Sequence, residues 1–330
     1  MPTVLVTGVG GGVGQSIVKS LQGSPYTVIG ADAEAFATGL YAVAKGYRVP
    51  YASAPGYVER LLEICAIENC ALILPGLDVE LPILSREAEK FRRFGVTAVV
   101  SSPEAIEIAD DKLATYRFLL ENGFHAPLTV PLGENLEQLF FPLVIKPRRG
   151  GARSRGVFVV ANERELSRRL SDIDPDNYVA QEYITGDEYT CGSVNFAGRC
   201  YGTIVMRRIL RDGDTYKAFV EETPLIKRYV ESVAEALKPF GACNFQFRLR
   251  NGEPYIFEIN ARHSGTTHSR TLAGFNEPRM VADYLLQGRL PEYKISEIVI
   301  LRYWKELMVE EHRIASLLQA GVVSNDKVRL

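Results

Sequence analysis

Residues 241–262 read Gly241-Ala-Cys-Asn-Phe-Gln246-Phe-Arg-Leu-Arg-Asn251-Gly252-Glu-Pro-Tyr-Ile-Phe-Glu258-Ile-Asn260-Ala-Arg262. Polar and apolar positions alternate on both sides of Asn251-Gly252, so two strands meet there in a hairpin. Asn244, Gln246, Arg248 and Arg250 share one face of the first strand, and Glu258 and Asn260 share one face of the second. A two-residue turn over Asn251-Gly252 would set Gln246 opposite Phe257 and send Glu258 to the other face. A three-residue turn with Gly252 left-handed instead pairs Gln246 with Glu258 and Asn244 with Asn260. The three-residue turn is the expectation. It gathers oxygen donors of the hard kind that Mg²⁺ prefers, with nucleotide phosphates and water completing the shell. A polar sheet face open to water is the plain alternative.

Working upstream, Leu143-Val-Ile-Lys146-Pro places a lysine near the end of a buried strand, a costly position for a charge unless an anion compensates it. Arg148-Arg-Gly150-Gly151-Ala-Arg-Ser-Arg-Gly156 follows at once, four arginines and three glycines between strands. Such a hairpin folds over a triphosphate, its backbone N–H groups and cations meeting the charge, and residues 148–156 are read as a phosphate lid. A solvated loop or a nucleic-acid patch is the alternative. Further on, Gln181-Glu182-Tyr183-Ile184 ends a strand and Gly186-Asp187-Glu188 follows, a segment able to present backbone groups to an adenine edge and Glu188 to ribose hydroxyls, though a strand end of this kind is common.

The first hundred residues alternate β and α signals: Val4–Thr7, a helix over Val13–Leu21, Thr27–Asp32, a helix from Gly56 to about Asn69, and Ala71–Pro75. That series predicts a mostly parallel sheet with right-handed crossovers. Gly8-Val-Gly10-Gly11-Gly12-Val-Gly14 joins the first strand to the first helix, and Asp32 ends the next strand where a dinucleotide fold would hold ribose. No register of these glycines satisfies G-x-G-x-x-G. Pro75-Gly-Leu-Asp78-Val-Glu80, at the C-terminal end of a parallel strand, and Ser264–Thr267 are candidate substrate contacts. His263 and His268 serve either as a base in the site or as structural side chains.

The 330 residues suit about two domains, and 46% hydrophobic with 24% charged residues excludes disorder and collagenous or disulfide-stapled classes. A net charge of −2 supplies no global field for nucleic acid, and no apolar run is long enough for a membrane helix. Five scattered cysteines without a CxxC pair, and an N-terminal stretch that reads as a strand rather than a leader, suit a cytoplasmic protein.

In their order, Ala109-Asp-Asp-Lys112, Val144-Ile-Lys146-Pro-x-x-Gly-Gly, Gln181-Glu-Tyr-Ile184, Gly186-Asp-Glu188, Asn244-Phe-Gln246 and Phe257-Glu-Ile-Asn-Ala-Arg262 resemble the ATP-grasp superfamily, most closely the module of carbamoyl-phosphate synthase large subunits. The resemblance covers about residues 1–290. It implies an α/β architecture: a Rossmann-like pre-ATP-grasp domain over 1–110, then an α+β ATP-grasp domain over 111–290 with a lid subdomain at about 115–185. Residues 291–330 form a C-terminal extension whose role is not legible. The cofactors implied are ATP and Mg²⁺, with Mn²⁺ as the substitute. By the same resemblance Lys112 and Lys146 contact phosphates, with Arg148, Gly150 and Gly151 in the loop beside them. Glu182, Tyr183 and Ile184 line the adenine pocket, Glu188 holds ribose, and Gln246, Glu258 and Asn260 ligate the metal. Arg262 stabilises the phosphoryl group in transfer.

The expected activity is C–N ligation of a small carboxylate and an amine through an acyl phosphate, with no nucleic-acid or membrane partner and a homodimer left open. Two rival readings stand: an NAD(P)-dependent oxidoreductase using the glycine loop, and a nucleotide-binding protein without turnover.

Overall fold

The structure, a computed structural model, describes residues 1–134, 136–151 and 154–325. Its strands form three sheets. The first is built on β1 (Thr3–Thr7), β2 (Thr27–Asp32), β3 (Lys45–Arg48), β4 (Cys70–Leu74) and β5 (Thr97–Ala98), all parallel, with β1 between β2 and β4. Every residue of β1 is buried, as a strand covered on both faces requires. The short β3 and β5 carry no apolar alternation, and the sequence reading passes over them.

The second sheet is small and antiparallel: β6 (Thr129–Pro131), β7 (Leu143–Pro147), β8 (Phe158–Val160) and β9 (Tyr178–Glu182), in the order β6-β9-β7-β8. Leu143, Ile145, Val160, Ala180 and, from the helix Glu163–Leu170, Leu166 give it a core of its own. The third sheet holds β10 (Glu188–Phe196), β11 (Arg199–Arg211), β12 (Asp214–Val220), β13 (Gly241–Arg250), β14 (Glu253–Asn260) and β15 (Val299–Leu301), in the order β14-β13-β10-β11-β12-β15. Cys191, Phe245 and Phe247 turn one face onto the helix Pro224–Leu237, whose Ile226, Val230, Val233 and Leu237 recur at helical spacing. On the opposite face Val194, Phe196, Ile204 and Met206 share a core with Val4, Val6 and Ile17 of the first sheet and its helix Gly12–Ser20. The first and third sheets are thus joined through one apolar layer.

The 291–330 extension, whose role the sequence leaves unread, packs on both large sheets. Residues 299–301 form the edge of the third sheet, Leu317 of the helix Glu311–Ala320 enters the shared core, and β16 (Val322–Ser324) returns antiparallel to β3. Residues 326–330 of that stretch lie outside the described residues.

The hairpin at Asn251-Gly252 corrects the expected turn and reaches the expected pairing by another route. Arg250 pairs with Glu253, and Asn251 and Gly252 have φ of 53° and 83°, so the turn has two residues of the primed type. The register then shifts between Gln246 and Phe247: Phe247 faces Ile256, Gln246 faces Glu258, and Phe257 is the extra residue of a bulge. That inserted residue brings Glu258 and Asn260 opposite Gln246 and Asn244.

The glycine loop is explained by close packing. A Cβ at Gly14 would lie 2.3 Å from the Gly8 carbonyl oxygen and 2.8 Å from Val9 Cα. The Gly10 N–H donates to Asp32 Oδ2 at 2.8 Å, so this carboxylate holds the loop's own backbone. Gly14→Ala should therefore lower stability by about 1–3 kcal/mol in urea unfolding, although alanine improves intrinsic helix propensity by about 1 kcal/mol. A midpoint at or above wild type would contradict the packing account.

Candidate active site

The cleft between the second and third sheets collects most of the residues singled out above. Lys146, next to last in β7, is 5% exposed, and its ammonium is held by neutral oxygens: Gln181 Oε1 at 2.9 Å and the Phe257 carbonyl at 3.0 Å. The bulge supplies that carbonyl, because Phe257 has no partner on β13. Burial pushes the Lys146 ammonium down to about 7, against the attraction of Glu258. A cation so placed is incompletely compensated by the protein.

The polar face of the third sheet lies below it. Glu258 Oε1 accepts from Asn260 Nδ2 at 3.1 Å and from Gln246 Nε2 at 3.4 Å, so the three expected metal ligands meet. One carboxylate and two amides fit a small hard cation that keeps several phosphate or water oxygens. Consistently, no cluster of three His, Cys, Asp or Glu side chains able to cage a metal occurs among the described residues. Gln246 Oε1 also accepts from Arg208 at 2.7 Å, and Asn260 Oδ1 from Arg262 at 3.1 Å; each amide oxygen retains a second lone pair.

Glu188 opens β10 between two arginines in cross-strand register, Arg208 on β11 and Arg248 on β13. Its Oε1 accepts from Arg208 at 2.6 Å and its Oε2 from Arg248 at 3.0 Å. Glu188 thus orders the charges of the face, and any ribose contact shares its oxygens with both guanidiniums. Arg208 was not singled out from sequence. Its pairing with Glu188 depends on a hairpin register that shifts at Asn195, which no local pattern announces. Gln181 enters the sequence reading only as part of a motif; the structure buries its side chain on β9, 4% exposed.

Between β9 and β10, residues 183–187 connect the two sheets. Glu182 donates its N–H to the Leu128 carbonyl at 2.8 Å and accepts the Leu128 N–H at 3.2 Å, while its other oxygen meets Arg250. Ile184 is buried, and the Arg248 guanidinium lies 5.3 Å from the Tyr183 ring centroid and donates to the Ile184 carbonyl at 3.3 Å. The connector lies at the junction expected to hold adenine.

The glycine- and arginine-rich loop is anchored at its start. Asp111 caps the helix Lys112–Glu121 by accepting from Leu113 and Ala114 N–H, and pairs with Arg148 at 2.8 Å and Arg149 at 3.0 Å. Burial alone would raise the Asp111 carboxyl; Arg148 and the two amides outweigh it and hold it below the usual range. Arg148 and Arg149 therefore already have carboxylate partners in the structure. Lys112 Nζ donates to the Gly150 carbonyl at 2.6 Å, and Gly150 and Gly151 take φ of 68° and 81°, backbone that glycine adopts freely. Ala152 and Arg153 of the expected lid lie outside the described residues.

Arg262 lies just beyond β14 and pairs with Asp78 from the first sheet, Nη2 to Oδ2 at 2.6 Å. Glu80, also a candidate substrate contact, is fully buried. It accepts from Thr7 Oγ1 at 2.7 Å and from the Gly76 and Leu77 N–H groups at 2.9 Å, and also from Tyr57, so it fixes the loop and does not face the cleft. Burial, with Arg270 and Arg262 adding to it, pushes His263 down to about 3, so its imidazole is neutral. Nε2 of His263 and Nδ1 of His268 are buried with no hydrogen-bond partner among the described residues.

Two family profiles match the chain: "PylC-like, N-terminal domain" over residues 4–99, and "ATP-grasp in the biosynthetic pathway with Ter operon" over residues 174–306. A D-alanine–D-alanine ligase A of Bacillus cereus is 29% identical over 244 residues, covering 64% of this chain and 79% of the relative. A carbamoyl phosphate synthase large chain of Thermoanaerobacter sp. is 27% identical over 192 residues, 52% of this chain but 18% of that much longer protein. In fold, the ADP complex of N5-carboxyaminoimidazole synthetase from Staphylococcus aureus superposes with a TM-score of 0.73 at 16% identity, over 99% of this chain and 94% of that one. The two profiles fall in chain order, one on the first sheet and one reaching the third, and with the ligase relatives they show that this chain is similar to ATP-grasp ligases.

Proposed function

We propose that the chain is an ATP- and Mg²⁺-dependent carboxylate–amine ligase working through an acyl phosphate, with a nucleotide site like that of carbamoyl-phosphate synthases. The observation that carries this is the buried Lys146 ammonium, held by neutral oxygens and facing the Gln246, Glu258 and Asn260 oxygens. A group with dense negative charge and its own cation satisfies both sides at once.

When bound, ATP supplies the γ-phosphoryl group that activates the acid, and Mg²⁺ neutralises charge on the phosphate oxygens. Lys146 and Lys112 bind the phosphates from the β7 side; Glu258, Gln246 and Asn260 hold the metal from the opposite side. Glu182, Tyr183 and Ile184 line the adenine and Glu188 the ribose. Arg262 steadies the phosphoryl oxygens while an oxygen of the acid bonds to the γ-phosphorus and the bond to ADP breaks. The amine nitrogen then bonds to the acyl carbon, inorganic phosphate leaves with the bonding electrons, and the nitrogen loses its proton to give the amide. Closure of the 148–156 loop excludes water from the labile acyl phosphate. We divide the chain into a pre-ATP-grasp unit over about 1–110 and an ATP-grasp unit beyond it, its small sheet forming the lid. No helix among the described residues is long and apolar enough to cross a membrane, and the acid and amine are small molecules. The oxidoreductase reading is less favoured, because the glycine loop packs on itself and its Gly10 amide is taken by Asp32.

Turnover is tested by ADP release across a panel of acids with hydroxylamine as trap for the acyl phosphate. Hydroxylamine-dependent ADP release with at least one acid is expected in the wild type, and Lys146→Ala should abolish it with the circular dichroism spectrum unchanged. Undiminished turnover in that variant removes Lys146 from the site, and ATP binding with no ADP release from any acid identifies a nucleotide-binding protein instead.

Glu258→Gln removes the one carboxylate of the metal trio, and the Mg²⁺ concentration for half-maximal activity should rise about tenfold or more. Lys146 also predicts a pH dependence of the unliganded fold. Its ammonium loses its proton at about 7 when folded and at 10.5 when unfolded, so between those values the unfolded chain binds the extra proton. Stability should rise with pH across that window and gain nothing from Lys146 below it. Urea midpoints of wild type and Lys146→Met, compared from pH 6 to 10, should diverge in this direction; parallel curves would show that Lys146 is protonated in its site.

A further inference from the structure

Arg262 has most of its hydrogen-bonding capacity occupied. Nε and Nη2 donate to Asp78 Oδ1 and Oδ2 at 2.5 and 2.6 Å, Nη2 also to Asn260 Oδ1 at 3.1 Å, and Nη1 to the His263 carbonyl at 2.7 Å. Four of the five N–H groups of a guanidinium are thereby engaged. The edge formed by Nε and Nη2, the fork that grips a carboxylate or phosphoryl group through two parallel bonds, belongs to Asp78. Asp78 reaches it from 184 positions away in sequence, from the loop that follows β4.

We infer that Asp78 is an internal occupant of the anion seat on Arg262, and that the acid substrate takes its place on the Nε–Nη2 edge by displacing it. This rests on the reading of Arg262 as the residue that steadies the reacting phosphoryl group. The side chain of Arg262 is 11% exposed and that of Asp78 39%, so the guanidinium is enclosed while its carboxylate partner borders the cleft. An enclosed guanidinium without an anion is strongly destabilising, which accounts for a resident carboxylate when no substrate is bound.

The loop around Asp78 limits how the exchange occurs. Glu80 holds the Gly76 and Leu77 amides, and Thr7 and Tyr57 hold Glu80, so the backbone beside Asp78 is fixed to β1 and to the helix Tyr57–Glu68. Displacement is then a rotation of the Asp78 side chain, and the carboxylate stays next to the bound acid. Lys112 also acts electrostatically on this carboxylate. Burial would raise the Asp78 carboxyl, but Arg262 and Lys112 keep it below the usual range, so the competitor is charged throughout the neutral range. An entering group must match a bidentate carboxylate to win the edge. Groups with two or more coplanar acceptor oxygens do so, and a single-point anion such as chloride does not. Asp78 is on this account a specificity-determining residue that sets a threshold for the acid.

Sulfate is the probe, because it presents several oxygens and keeps one charge state at working pH. Its half-saturating concentration is read from thermal unfolding at an ionic strength held constant with NaCl. Asp78→Asn should bind sulfate about tenfold more tightly than wild type, and the gain should vanish when Arg262→Gln is present in both backgrounds. Equal or weaker sulfate binding in Asp78→Asn, or a gain that survives Arg262→Gln, overturns the inference. If Asp78→Asn does not fold, a wild-type crystal soaked in sulfate decides: sulfate on the Nε–Nη2 edge with Asp78 rotated away supports exchange, and Asp78 still bidentate on Arg262 overturns it. The ADP-release assay on wild type judges the ligase reading separately, since sulfate exchange requires no turnover.

Discussion

The contact between the Lys146 ammonium and the Phe257 carbonyl is the interaction on which the site depends. It crosses from the small second sheet to the hairpin of the third, and it exists because β14 contains one residue more than its pairing with β13 requires. Without the bulge, the type of turn at Asn251-Gly252 would place Glu258 and Asn260 on the face packed against the helix Pro224–Leu237. With it, the same residue frees a carbonyl for the lysine and turns two oxygen donors towards the cleft. One inserted residue therefore sets both halves of the site, the cationic and the oxygen-rich.

Charge in the cleft is arranged so that each buried ion has a partner, and several of those partners are shared. Glu188 lies between Arg208 and Arg248, Asp111 takes Arg148 and Arg149, and Arg262 takes Asp78. Lys146 is held instead by neutral oxygens, as Lys112 is by the Gly150 carbonyl, and burial pushes the Lys146 ammonium down to about 7. Low dielectric strengthens each paired contact and penalises each incomplete one, so the protein's own charges are ordered before any ligand arrives. Such a face is pre-organised for a polyanion and its cation.

Support for this arrangement comes from how the sheets are packed. The first and third share an apolar layer, which fixes Asp78 relative to Arg262 across two units distant in sequence. The second has its own small core and meets the third through the 183–187 connector, Lys146 and the pair Glu182–Arg250. β16 and the helix before it return the chain to the first sheet, and β16 closes that sheet at its β3 edge.

What the sequence determined by itself was local: the period-two faces that align Gln246 with Asn244 and Glu258 with Asn260, the hairpin at Asn-Gly, the lysine at the end of an apolar strand, and the order of short motifs. These are readable because alternation and turn chemistry act over a few residues. The tertiary structure alone decided the bulge at Phe257, the placing of Arg208 and Arg248 on either side of Glu188, the burial of Glu80 and the seating of Asp78 on Arg262. Each depends on register or packing between segments tens to hundreds of residues apart. A shift of one residue in such pairings moves a side chain to the other face, and no local pattern records it.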